Sequence, residues 1–225
     1  MQSRLQVLYE DNHLIAINKP AGTLSQADRT GDEILADDVK AYIKEKYNKP
    51  GDVFLGIVHR LDRPVSGVML FARTSKALER VNAAFQERKI QKVYWAIVSQ
   101  RPPDEEGELR HYLTRMEGKN ITKAYTRHQA GSQEAVLRYA LLKSLGQHHL
   151  LEVRPQTGRQ HQIRVQLSKI GCPIKGDLKY GALEAMPDKS ILLHARSLIL
   201  PHPTLQKMIT ISAATPRNQS WDLFR

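Results

Sequence analysis

Two segments of this chain gather groups that can do chemistry. The first is His59-Arg60-Leu61-Asp62-Arg63-Pro64-Val65-Ser66-Gly67, where one carboxylate sits between two guanidinium groups and leads into the apolar run Val68-Met69-Leu70-Phe71-Ala72. A carboxylate beside a buried strand is costly unless it is paired. Asp62 is therefore expected in an ion pair or at the floor of a cleft, where it would serve as nucleophile or base. A structural salt bridge accounts for the same residues, because ion-pair networks also surround carboxylates with cations. The second segment is Thr157-Gly158-Arg159-Gln160-His161-Gln162-Ile163-Arg164, which runs on through Leu167 and Ile170 to Gly171. Ile163, Leu167 and Ile170 share one helical face, and Gly171 suits the position just past a helix end. Arg159 and Arg164 then lie near the helix start, where the helix dipole disfavours a cation, so an anion should accompany them: a carboxylate such as Asp62, or a phosphate. A basic, solvated helix face is the plain alternative.

The elements that must hold these segments are legible on either side of them. Residues 5–9 alternate, Asp11 and Asn12 turn, and residues 13–18 resume, which reads as a strand pair broken by Lys19-Pro20-Ala21-Gly22. Leu35, Val39, Tyr42 and Ile43 recur at helical spacing up to the break at Lys49-Pro50-Gly51, and a second helix follows Ser75 with Leu78, Val81 and Phe85 on one face. Strands are expected at 93–98, 135–142, 150–153, 192–200 and 208–213, the last two separated by His202-Pro203-Thr204. The stretch 101–108, with two prolines and four acids, reads as a solvated loop, and 117–120 as a turn. Strands come in runs and do not alternate regularly with helices. The expected class is therefore α+β, a mostly antiparallel mixed central sheet flanked by helices and loops, in one domain over residues 1–225.

Composition narrows the partners. The chain has 225 residues, 41% hydrophobic and 25% charged, which excludes a fibrous or extensively disordered protein. Lys and Arg number 34 against 23 acids, a net charge of +11. Such an excess suits a polyanionic partner, because clustered cations displace counterions condensed on phosphates, although solubility alone is served by the same charge. Glu10 and Asp11 interrupt the most apolar part of the N-terminal stretch, unlike a secretory signal or membrane span. A single cysteine, Cys172, has no disulfide, redox or zinc partner and suits a reducing cytoplasm. His161, His194 and His202 match no metal-ligand spacing, so no metal is expected, and Trp95 and Tyr180 read as packing aromatics.

Taken together, HRLDRPVSG, TGRQHQIR with the following IGCPIKGDLKYG, the opening VLYEDNHLIAINKPAG and the later LLHARSLILPHP resemble, in order and spacing, the RluA-type RNA pseudouridine synthases of ribosomal and transfer RNA. The resemblance runs from about Val7 to Pro216. It implies the pseudouridine synthase catalytic fold, no cofactor, an RNA partner, and no N-terminal S4-type domain, the likeness beginning too early to leave room for one. By position it assigns the catalytic aspartate to Asp62, the active-site tyrosine to Tyr94 in KVYWAIV, and the arginine that pairs with the aspartate to Arg164. A carboxylate, a cation that holds it ionised and an aromatic face on which a base stacks make chemical sense together. The same segments supply the candidates for RNA contact: His59, Arg60, Arg63, Arg159, His161 and Gln162, with Lys19 from the NKPAG turn.

The implied reaction breaks the N1–C1′ bond of a flipped uridine, turns the uracil and rejoins it through C5. The residues do not choose between Asp62 attacking ribose, attacking the base, or removing a ribose proton. Pro64 and Val65 stand where most relatives have Asp-Thr, Gln160 where Thr is usual and Gln166 where His is usual; these departures bear on contacts to RNA. Two other readings compete. One is an RNA-binding or ribosome-assembly protein with the same fold and weak activity, against which stands the presence of Asp62, Tyr94 and Arg164 together. The other is a hydrolase pairing Asp62 with His59, which lacks a second well-placed carboxylate or base. The expectation is a cytoplasmic monomer with no obligate protein partner, acting on ribosomal or transfer RNA.

Overall fold

A computed structural model describes residues 5–25 and 34–225. In chain order its elements are β1 (Val7–Glu10), β2 (Leu14–Lys19), α1 (Leu35–Lys46), β3 (Gly56–Ile57), β4 (Ser66–Ala72), α2 (Ser75–Gln86), β5 (Gln91–Val98) and β6 (Glu106–Arg115). They continue with β7 (Thr122–Tyr125), β8 (Gln133–Leu145), β9 (His148–Pro155), α3 (Gln162–Lys169), a single 3-10 turn at Leu178–Tyr180, β10 (Leu193–Pro201), β11 (Met208–Ser212) and α4 (Gln219–Asp222). The chain divides into two compact units, Met1–Gln91 with Ala195–Thr215, and Lys92–His194 with Pro216–Arg225. None of the described helices is long and apolar enough to cross a membrane.

In the first unit the strand order is β1-β2-β4-β10, with β3 added to β4 and β11 to β10. Strands β2 and β4 run antiparallel from the pair Leu14↔Ala72 to Lys19↔Gly67. All residues of β4 are buried, which explains why its sequence is a continuous apolar run and not an alternation. Leu14, Ala16, Val68, Leu70, Leu198 and Leu200 pack with Val81 and Ala84 of α2. Each such Leu or Val contributes about 1.5–3 kcal/mol by leaving water. Thr74 caps α2 by accepting from the Ala77 amide at 3.2 Å. The face that α2 buries is centred on Ala77, Val81 and Ala84, with Phe85 at its margin, because small side chains bring the helix axis close to the sheet.

In the second unit the order is β5-β9-β8-β6-β7, every neighbouring pair antiparallel. Helix α3 lies against β6 and β7, where Val165 joins Leu113, Ala135 and Tyr180 in a small core. The α+β class expected from the sequence is the class observed. One element corrects the sequence reading: β6 begins at Glu106, inside the stretch expected to be loop. Its outer face is stitched by charge and not by apolar contact, through Arg110 to Glu108 at 3.1 Å, Arg110 to Glu134 at 2.6 Å and Arg138 to Glu108 at 3.2 Å. Opposite charges across a strand pair stabilise it much as apolar pairs do. The expected turn at 117–120 does join β6 to β7, closed by the Met116 amide donating to the Ile121 carbonyl at 2.9 Å.

Candidate active site

Asp62 occupies the loop between β3 and β4, just before the wholly buried strand. The loop is held at several points by its own backbone. Leu61, before the aspartate, is buried and clasped by Ser25, whose hydroxyl donates to the Leu61 carbonyl at 2.7 Å and accepts from the Leu61 amide at 3.2 Å. Arg63, after it, receives the Gly22 amide on its carbonyl at 2.8 Å and donates its Nε to the Gly22 carbonyl at 2.9 Å. The Val65 amide closes the turn by donating to the Asp62 carbonyl at 3.0 Å. Gly67 then enters β4 with φ of 116°, where an added Cβ would stand 2.3 Å from the Ala195 carbonyl oxygen, so only glycine fits. The side chain of Asp62 remains partly exposed, and Arg60 and Arg63 on either side are exposed.

His59 is partly buried, and its Nε2 accepts from the Leu70 amide at 3.0 Å, which anchors the loop to β4. Lys19 departs from its expected role. It was expected to approach RNA from an exposed turn, yet it is fully buried, and its ammonium donates to the carbonyls of Pro20 at 3.0 Å, Arg63 at 3.2 Å and Val65 at 2.8 Å. An ammonium so engaged is not presented to a phosphate.

The second unit carries the other candidates. Tyr94 lies on β5 opposite Val153 of β9 and is partly exposed. Arg164, in the first turn of α3, is buried, and Asp177 grips it bidentately, Nε to Oδ2 at 2.7 Å and Nη2 to Oδ1 at 2.8 Å. Its guanidinium carbon also lies 5.0 Å from the centre of the Tyr180 ring. The anion that the helix dipole demanded thus includes Asp177, which the sequence reading did not nominate. Tyr180, a packing aromatic by its sequence, is also a hydrogen-bonding hub. Its hydroxyl accepts from the Thr122 amide at 2.9 Å and lies 2.7 Å from His161 Nδ1. The hydroxyl thus joins the Thr122 backbone to the His161 ring, and the direction of its bond to the imidazole follows the His161 tautomer. Burial pushes the Tyr180 phenol up, so it stays a donor at neutral pH.

His161 takes a left-handed conformation, φ 52°, at the start of α3, and its ring is buried. Gln162 is buried as well, and both ends of its amide are used within the protein. Its Oε1 accepts from Thr157 Oγ1 at 2.7 Å and the Arg159 amide at 3.0 Å, while Nε2 donates to the Val136 carbonyl at 3.1 Å. Arg159 is exposed, its Nε donating to the Glu134 carbonyl at 3.1 Å. Of this group only Arg159 is outward, and His161 and Gln162 shape the turn that carries it. Gln166, one of the departures expected to bear on RNA contact, is wholly buried and donates to the carbonyls of Leu109 and Ala135 at 3.1 and 3.2 Å, so it bears on packing. Gln160 is exposed and donates to Asn120 Oδ1 at 2.8 Å. Among the described residues no three His, Cys, Asp or Glu side chains converge in a way that could hold a metal ion.

A half-exposed carboxylate on a stiff mount, with exposed guanidinium groups beside it, can act on a polyanionic substrate as nucleophile or base. Comparison with known proteins gives that chemistry its class. The family model described as RNA pseudouridylate synthase matches residues 13–169, a span containing Asp62, Tyr94 and Arg164. The chain belongs to this family. As a pseudouridylate synthase it is an isomerase, and its relatives cover almost all of it. Ribosomal large subunit pseudouridine synthase C of Rickettsia felis is 36% identical over 214 residues, 93% of this chain and 67% of that protein. tRNA pseudouridine synthase C of Pasteurella multocida is 32% identical over 238 residues, 96% of this chain and 93% of that one. Among solved structures, human RNA pseudouridylate synthase domain containing 4 matches with a TM-score of 0.79 at 28% identity, covering 97% of this chain and 92% of its own.

Proposed function

We propose that this pseudouridine synthase isomerises selected uridines of ribosomal or transfer RNA, with Asp62 as the carboxylate that starts the reaction. Carrying the reading is the mount of Asp62: a partly exposed acid in a turn whose neighbours on both sides are clasped by Ser25 and Gly22. A reactive carboxylate held in this way needs little reorganisation to meet a substrate. The names of the relatives, one a ribosomal and one a transfer RNA enzyme, support both RNA classes as substrates.

The target base leaves its stack at a cost on the order of a few kcal/mol, least where the RNA is looped or distorted. Tyr94 offers the extruded uracil an aromatic face, worth about 1–3 kcal/mol per stacked base. Asp62 acts on the ribose or the base, the N1–C1′ bond breaks, the uracil turns, and a C5–C1′ bond forms while C5 gives up its proton and N1 takes one up. Composition and oxidation state are unchanged, so no redox cofactor or co-substrate is called for. Arg164 supplies the positive charge paired with Asp62 in this reading, and Arg60, Arg63 and Arg159 meet backbone phosphates. Residues 1–225 act together as one catalytic domain, in a monomer. The lone cysteine, buried Cys172, suits a cytoplasmic setting.

The test is to map carbodiimide-dependent reverse-transcription stops in RNA from cells with and without the gene. Loss of a stop at a defined ribosomal or transfer RNA uridine supports the proposal, and restoration by the wild-type gene but not by Asp62→Ala assigns the carboxylate. Unchanged stops in both RNA classes would reject it.

A further inference from the structure

Lysines that lose water in this fold meet two kinds of partner. Lys19 and Lys92 donate to carbonyl oxygens, which accept a hydrogen bond but take up no proton. Lys175 meets a base instead: its Nζ lies 2.9 Å from Nε2 of His148, the first residue of β9. Both residues stand on the same strand end. The Lys175 amide donates to the Ile97 carbonyl and its carbonyl accepts from the Leu192 amide, each at 2.9 Å, while His149, next to His148, is registered with Val98 of β5. Backbone on this mount is fixed, and the Lys175 side chain is only half-buried.

An ammonium has donors alone, so while Lys175 keeps its proton the His148 ring must be neutral and accept on Nε2. The other ring nitrogen then serves the bond to the Leu145 carbonyl. Burial pushes the Lys175 ammonium down, and Glu184 acts against that shift without forming an ion pair with it. Burial, then Lys175 and then His149 push the His148 imidazole down as well. His149 lies within 2.9 Å of Ser144 and faces Arg101, itself paired with Glu105 at 2.7 Å. A lysine short of water with a neutral imidazole on its nitrogen is set up to react as an amine.

We propose that Lys175 and His148 form a nucleophile and base pair, which makes Lys175 a site of Nε-acylation by activated acyl donors, the acyl phosphates and acyl thioesters. The neutral amine attacks the acyl carbon and a C–N bond forms. The bond from that carbon to phosphate oxygen or thiol sulfur breaks, and the leaving group takes its electron pair. The proton shed by nitrogen passes to His148 Nε2 and on to solvent.

The experiment treats the whole protein with acetyl phosphate, and separately with S-acetyl-N-acetylcysteamine, and follows acetylation of each lysine by peptide mass spectrometry. Exposed Lys143, on the neighbouring strand β8, is the reference. Lys175 should react about tenfold faster than Lys143, and His148→Gln, which keeps an acceptor but cannot take the proton, should remove that advantage and leave Lys143 unchanged. The advantage should also shrink as pH falls and His148 becomes protonated. An advantage with one donor alone assigns the acyl source to that class, and with both to either. Lys175 reacting no faster than Lys143 with both donors, or an advantage untouched by His148→Gln, overturns the inference. The wild-type comparison decides even where His148→Gln does not fold.

Discussion

Asp62 and Arg164 differ in their burial and in the mounts that carry them. The turn that carries Asp62 is held through its backbone, where Ser25, Gly22 and Lys19 bind Leu61, Arg63 and Val65, and the aspartate itself is partly exposed. Arg164 is held by its own guanidinium, buried against the carboxylate of Asp177 and the ring of Tyr180. A turn held through its backbone keeps its shape when a partly exposed side chain on it is changed, whereas a buried guanidinium that loses its carboxylate is left uncompensated. The difference predicts a split between catalytic and structural cost.

The sharpest break in that comparison is Asp177→Ala. It leaves a buried guanidinium without the carboxylate that grips it, and should lower the unfolding free energy by about 3–5 kcal/mol, measured by urea denaturation. A loss under 1 kcal/mol would mean that the ion pair contributes little and that Arg164 has another anchor.

Next is the pH dependence of stability at Lys19. Unfolded, this lysine keeps its proton up to its ordinary value near 10.5, while folded it holds it only to about 7. Between those values the unfolded chain binds more protons, so folding becomes more favourable as pH rises, and below about 7 the full cost of the buried charge applies. The stability of wild type relative to Lys19→Met should therefore climb with pH over this window, by up to about 5 kcal/mol in all. A difference that stays flat from pH 7 to pH 9 denies that the ammonium titrates there.

Smaller effects sharpen the picture. Gln162→Ala takes the acceptor from the Arg159 amide and the nearer one from Thr157 Oγ1, while the Val136 carbonyl keeps the Gln156 amide at 2.9 Å, and should cost about 1–3 kcal/mol. If Gln162 instead touched RNA directly, affinity would fall while the melting temperature held. Thr74→Ala removes the cap of α2 and should cost about 1 kcal/mol with no change in isomerisation rate.

Much of the mount was legible in the sequence. The apolar run after Ser66 reads as a buried strand, and the spacing of Ile163 and Leu167 with Gly171 beyond, which takes φ of 79°, marks α3 and its end. What escaped shares one cause: polar residues whose partners are distant in the chain. Lys19 meets carbonyls 44 and 46 residues away, and a lysine in a Pro-Gly turn carries every local signal of solvation. Strand β6 is built on Glu108 and Arg110 pairing with Arg138 and Glu134, so its composition imitates a loop. Asp177 could have been found, since a buried arginine at a helix start requires an anion and the acid lay in a motif already noted. Choosing it over Asp62 or a phosphate needed the fold.

The central claim is that Asp62 is catalytic and not structural. It is tested most directly by assaying Asp62→Ala on the RNA identified by pseudouridine mapping, with urea unfolding in parallel. The account predicts a rate loss of at least about 10⁴-fold, RNA affinity within a few-fold, and stability within about 1 kcal/mol of wild type. Retention of a wild-type rate, or loss of activity that merely follows loss of fold, would contradict it.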